Sequence, residues 1–145
     1  MLRDGLPAVL FGWTPAPTDP LPDEGENGMG HYTEVSRFFQ KIESPTSTKQ
    51  FQVSVQDYGA NKDVVPELRR AVAEAAKAGV ETRELDVAGH RGFVVTDKSS
   101  GKPITIVTVV LSSSRLVLGA GSNVAADEAV LLVKKVDFSR VAAAR

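Results

Sequence analysis

Residues 103–121 read PITIVTVVLSSSRLVLGAG, and the chain is organised around them. From Ile104 to Leu111 every residue is Val, Ile, Leu or Thr. Such side chains are stiff at χ1 and fit a pleated surface. The apolar residues do not alternate cleanly, so the segment is expected to be covered on both faces, as a central strand is. Ser112, Ser113 and Ser114 are too polar to continue it and predict a turn. Arg115 to Gly121 then returns as a second strand, giving an antiparallel hairpin at the middle of a sheet.

Working outward, Phe51 to Tyr58 alternates apolar Phe51, Val53 and Val55 with Gln52, Ser54 and Gln56. That pattern predicts a strand with one buried and one wet face. Residues 31–41 form its partner, with Tyr32, Val35, Phe38 and Phe39 in an imperfect alternation that predicts a bulge. A helix follows to about Ala78, capped at Asp63 or a neighbour, with Pro66 in its first turn and Gly79 as its stop. Leu68, Val72, Ala75 and Ala76 share one narrow face of it. Short strands are expected over 82–87 and 93–96, the first of these followed by a tight connection at 88–92. A second helix is expected from about Ala125 to Lys135, and a last turn capped by Asp137.

The first 30 residues hold five of the eight prolines, which argues against helix there. Residues 14–30 are polar and acidic, and predict an extended arm over the surface. Just before the arm, Leu6, Val9, Leu10, Phe11 and Trp13 are expected to dock on the domain, with Trp13 as a packing anchor. The resulting fold class is α+β: a single domain over 1–145, with an antiparallel sheet of five to seven strands, the order ββα-βββα, and helices packed on one face.

Totals narrow the function classes. The 145 residues carry 17 basic and 18 acidic side chains, a net charge of −1. No general basic surface exists for nucleic acid, so no nucleic-acid partner is expected. There is no cysteine, which excludes disulfides, thiolate catalysis and cysteine zinc sites. No run reaches the roughly 20 apolar residues of a membrane span. Pro7 and Gly12 interrupt the apolar N-terminus, a poor signal peptide, so the chain reads as cytoplasmic, or as periplasmic or secreted after removal of a leader.

The motifs lack chemistry. Gly119-Ala120-Gly121-Ser122-Asn123-Val124 lies between a strand and a helix, as a dinucleotide loop does, but Val124 fills the third glycine position and too few residues follow. Ser99-Ser100-Gly101-Lys102 resembles the end of a phosphate loop, but Thr96 replaces the upstream glycine and Pro103 follows the lysine. Both read as turns. His31 and His90, the only histidines, have no metal-ligand spacing and read as solvated loop residues. Asp57 and Asp97 sit at strand ends in different hairpins, with nothing to bring them together. No Gly-x-Ser-x-Gly elbow, cofactor motif or metal motif is present. The chain reads as non-enzymatic, with no cofactor. A small-ligand carrier or weak hydrolase on the open face of the sheet would need Trp13, His31, Arg37, Asp57 and Arg91 to converge. The arm at 14–30 offers a reach toward another protein or a second copy.

A set of short stretches resembles a family of small, usually exported bacterial α+β proteins with no established activity. The matching residues are Leu6-Pro7, Gly12-Trp13, Gly28-Met29-Gly30 leading to Tyr32, Ser36 and Arg37, Val53 to Gly59, Val87 to Gly92, Arg115-Leu116-Val117 and Val136-Asp137-Phe138. The element order is also similar to the Mog1p/PsbP-like group. The resemblance implies an α+β domain of the bacterial envelope and supplies no catalytic residues.

Overall fold

A computed structural model describes residues 2–17 and 20–144. Eight strands form one sheet, and every pairing in it is antiparallel. They are β1 (Thr14–Pro15), β2 (Asp23–Asn27), β3 (Gly30–Ser44), β4 (Ser47–Asp57), β5 (Glu81–Val87), β6 (His90–Asp97), β7 (Ile104–Val110) and β8 (Arg115–Ser122). The order across the sheet is β1-β3-β4-β8-β7-β6-β5, and β2 pairs with the outer edge of β3 beyond β1. Three helices join them: α1 (Val65–Lys77), α2 (Ala126–Val133) and α3 (Phe138–Ala143). A short 3-10 turn, Leu2–Gly5, opens the described chain.

The expected hairpin of β7 and β8 is present and interior, flanked by β6 and β4. Its two faces differ, however. Thr105, Val107 and Val109 are buried on one face. On the other, Thr108 is buried, while Ile104 and Ile106 remain 46% and 41% exposed. The expectation of cover on both faces therefore holds for only half of the second face.

The sheet also exceeds the expected five to seven strands, and ββα-βββα is not its order. Two additional strands lie in the Pro-rich arm, and four strands rather than three follow α1. Nor do the helices share one face. Val94, Val109 and Val117 pack with Ala129, Val130, Val133, Phe138 and Val141 of α2 and α3. Their neighbours Phe93, Val110 and Leu116 pack on the opposite side with Val64 and Leu68 at the start of α1. Adjacent strand residues point to opposite faces, so apolar neighbours of this kind demand cover on both.

Local chemistry explains the details. Asp63 Oδ1 accepts the Val65 N–H, Pro66 stands in the first turn, and Gly79 takes φ 84° after the helix. Asp137 caps α3 by accepting the Arg140 N–H at 3.0 Å. The bulge expected between residues 31 and 41 is displaced to Ile42/Ser44. Alternation fails earlier in β3 because Tyr32 packs with the α1 cluster while Val35 and Phe39 face the other core.

Of the five N-terminal apolar residues expected to dock, Leu6, Leu10 and Trp13 do so. The Trp13 ring lies 6.2 Å from that of Phe51. Val9 is 72% exposed and Phe11 is fully exposed. The Trp13 N–H donates to the Leu10 carbonyl at 3.0 Å, and Gly12 between them has φ 84°, so Phe11 stands at the tip of a tight turn.

The glycine-rich end of β8 serves packing. A Cβ on Gly119 would collide with Val133 and lie 2.7 Å from the Phe51 ring. Helix α2 can settle on the sheet only because that atom is missing.

Candidate apolar groove on the open sheet face

Cross-strand register places Phe38, Gln52, Ala120 and Ile106 in one row across β3, β4, β8 and β7. Gln40, Gln50, Ser122 and Ile104 form the next row. Both rows lie on the face that carries α1, beyond the part that α1 covers. The chain after Trp13 crosses the edge of β3, where the Ala16 N–H donates to the Phe38 carbonyl at 2.8 Å. Thr14 to Pro17 thereby make the remaining wall of an open groove of about 590 Å³.

The groove is apolar and electrically neutral. Phe38, 54% exposed, lines it with Ile104, Ile106, Ala120 and two prolines, and no described lining residue carries a charge. Its polar groups are neutral: Thr14, Ser122 and the amides of Gln40, Gln50 and Gln52. The Gln52 amide is anchored by donating to Ser36 Oγ at 3.0 Å. A smaller cavity of about 240 Å³ shares Pro15, Ala16, Phe38 and Gln52 with it and ends at Asp23, Glu34 and Arg37.

The five residues proposed from sequence are spread over the molecule. Trp13 is buried against Phe51 in the core opposite the groove. Arg91, on β6 beside the edge strand β5, donates to Glu84 at 2.7 Å, and that hydrogen bond holds the Glu84 carboxyl below its ordinary range. Arg37 is partly buried on β3, and its Nε is buried with no partner among the described residues. Only His31 and Asp57 share a concavity, a depression of about 450 Å³ beside Tyr32 and Tyr58. His31 is exposed and lies 3.7 Å from Glu26. Asp57 Oδ2 accepts from Arg115, and its Oδ1 accepts the Gly59 N–H. Both histidines lie in strands rather than loops, His31 as the second residue of β3 and His90 as the first of β6, and His90 rests with its ring 5.7 Å from Phe138.

Beside that depression runs a chain of polar groups. Asn27 donates to the Tyr58 hydroxyl, Tyr58 donates to Gln56, and the Gln56 amide donates to Glu34 at 2.7 Å. Burial pushes the Tyr58 phenol above its ordinary range. The chain satisfies Tyr58 and Gln56, which are both buried, and ties β2 to β4.

Sequence reasoning missed the groove because its residues look ordinary. Phe38, Ile104 and Ile106 read as core, and the glutamines as a wet strand face. The available signal was their register, which sets an apolar row beside a polar one. No group of three or more potential metal-ligating side chains gathers among the described residues. No helix of the described residues is long and apolar enough to cross a membrane. No protein-family model, curated protein or solved structure matches the chain.

Proposed function

We infer that this chain is a non-enzymatic binding module that holds a small, uncharged, mainly apolar molecule in the groove over Phe38, Ile104, Ile106 and Ala120. One observation carries the reading: a cavity of about 590 Å³ whose described lining has no charged side chain. Ligand sites commonly span about 300–1,000 Å³, with apolar walls and a few placed polar groups. An ionic head would enter this groove without a counter-charge, at a desolvation cost. A hydroxyl or amide head would find Gln40 and Gln50, whose side chains make no hydrogen bond among the described residues.

The weak-hydrolase alternative has less support. Its one gathered pair is His31 and Asp57, and Asp57 Oδ2 is already engaged by Arg115. The resemblance to exported bacterial proteins supports placing the module in the bacterial envelope, periplasmic or secreted. A second reading, contact with another protein or a second copy through the arm at 14–30, is favoured by Leu21, 74% exposed on that arm.

The test is displacement of a neutral naphthylamine dye by a series of straight-chain alcohols. Saturable dye binding is expected, with each added methylene tightening competition by about fourfold, from about 0.8 kcal/mol per buried methylene, until the groove is full. Absence of saturable binding, or no dependence on chain length, would overturn the assignment.

A further inference from the structure

Val9 and Phe11 expose large apolar side chains on a turn whose neighbours Leu10 and Trp13 are buried. Leu10 between them is buried and Trp13 behind them is buried, so the tip is fastened from below. The turn is closed by the Trp13 N–H to Leu10 carbonyl bond and by Gly12 at φ 84°. From Gly5 to Thr18 no residue carries a charge, in a chain that is 24% charged. Exposing a phenylalanine completely gains nothing for the fold, because its surface stays in water.

A cation without a carboxylate partner stands at the base of this tip. Lys41 Nζ lies 6.0 Å from the Trp13 ring centroid, and a Cβ on Gly12 would lie 4.0 Å from it. Its cross-strand neighbour Lys49 is paired with Glu43 and Glu128, but Lys41 has no ion pair among the described residues.

We propose that the Val9–Phe11 turn is a membrane-docking finger that inserts into the interface of a bilayer bearing anionic headgroups, with Lys41 facing the headgroups. The shape of the tip selects this partner. A protein interface of ordinary strength buries about 800 Å² on each side, which a convex turn with two projecting side chains does not offer. A bilayer accepts such a wedge, taking the apolar side chains among its acyl chains and the adjacent Lys41 ammonium among its phosphates. The finger is followed immediately by Thr14 to Pro17, the wall of the groove, so docking sets that wall beside the surface. The inference does not depend on the groove holding a ligand.

Co-sedimentation of the full chain with vesicles tests it, using phosphatidylcholine alone and phosphatidylcholine with phosphatidylglycerol. The chain is expected to sediment with the anionic vesicles, and less with the neutral ones. Val9→Ser with Phe11→Ser should weaken binding by at least about tenfold, and Lys41→Gln by about fivefold on anionic vesicles only. Neither change replaces a buried residue, and thermal melts unchanged from the parent would exclude misfolding. A Phe11→Trp, Trp13→Phe chain should blue-shift and be quenched by brominated lipid. Failure to sediment with anionic vesicles would overturn the proposal. So would sedimentation indifferent to the double change. A vesicle-free dimer that disappears in Val9→Ser/Phe11→Ser would instead assign the tip to self-association. Dye binding in the groove, measured on the same double variant, should be unaffected, which separates failure of the finger from failure of the groove.

Discussion

Arg115 closes on Asp57 across β8 and β4, with its Nε at 2.9 Å and one terminal nitrogen at 2.6 Å from the same carboxylate oxygen. The other terminal nitrogen donates at 2.7 Å to the carbonyls of Val141 and Ala144. One guanidinium thus fastens the end of α3 to the centre of the sheet. Both side chains are largely buried, at 15% and 24% exposure, so solvent screens the pair less than a surface pair. Arg115→Ala leaves Asp57 without its cation and two carbonyls without their donor. The expected loss is about 2–4 kcal/mol of unfolding free energy, read from urea melts. Arg115→Lys should recover only part of it, because an ammonium lacks the planar fork. A melt unchanged by Arg115→Ala would show that the clamp contributes nothing.

Gly119→Ala is expected to destabilise by about 1–3 kcal/mol, because the new methyl overlaps Val133 and the Phe51 ring. The double variant Gly119→Ala with Val133→Ala should be less unstable than the sum of the two single changes. Strict additivity in that cycle would mean that the two positions do not touch.

Alkali should weaken the fold through two groups. The hydrogen bond to Glu128, with a further one to Glu43, raises the Lys49 ammonium pKa against the lowering effect of burial. Burial raises the Tyr58 phenol. In both cases the folded value lies above the unfolded one, so the native state holds protons that the unfolded chain releases. The stability they contribute is complete below the unfolded values, at about pH 10 for each group, and is lost as pH rises through the folded ones. Urea midpoints measured from pH 8 to 11 should fall above about pH 10, and Tyr58→Phe should fall less steeply. A midpoint that stays level to pH 11 would contradict this.

Ile106→Asp places a charge in the groove at a side chain that is 41% exposed. Native stability should fall by about 1–2 kcal/mol, while the alcohol that displaces dye from the parent should no longer raise the variant's melting temperature. For the parent, ligand at 100 times its Kd should add about 2.7 kcal/mol. If Ile106→Asp kept the full ligand-induced shift, the ligand would be binding elsewhere.

The sequence reveals the parts of the fold whose local chemistry agrees with their place in it. The β-branched run at 104–110, the alternation at 51–55, Gly79 after α1 and the Asp137 cap all carry their own signal. Strands β1 and β2 carry none. Thr14–Pro15 and the acidic Asp23–Asn27 have little strand propensity, and the outer edge of β3 recruits them. Helix placement is readable in principle from the apolar neighbours Phe93-Val94, Val109-Val110 and Leu116-Val117, which need cover above and below. The groove is the least readable feature. An isoleucine lining an open cavity and one filling a core have the same local sequence, and only cross-strand register tells them apart. Trp13, His31, Arg37, Asp57 and Arg91 attract attention by side-chain chemistry, yet packing against Phe51, pairing with Arg115 and pairing with Glu84 already occupy three of them.

The Leu2–Gly5 turn rests on α3: the Asp137 N–H donates to the Gly5 carbonyl at 2.8 Å, and Gly5 lies too close to Val141 for any side chain. Beginning and end of the described chain are therefore neighbours, on the side of the sheet opposite the groove. A short peptide bridge could join them, and the exposed Ser112–Ser113 bend could supply new ends, without breaking a strand or a helix. The same backbone drawn as a closed loop has its cut site in a place of convenience, and tags or tethers fused at either end of the described residues would leave the opposite face clear.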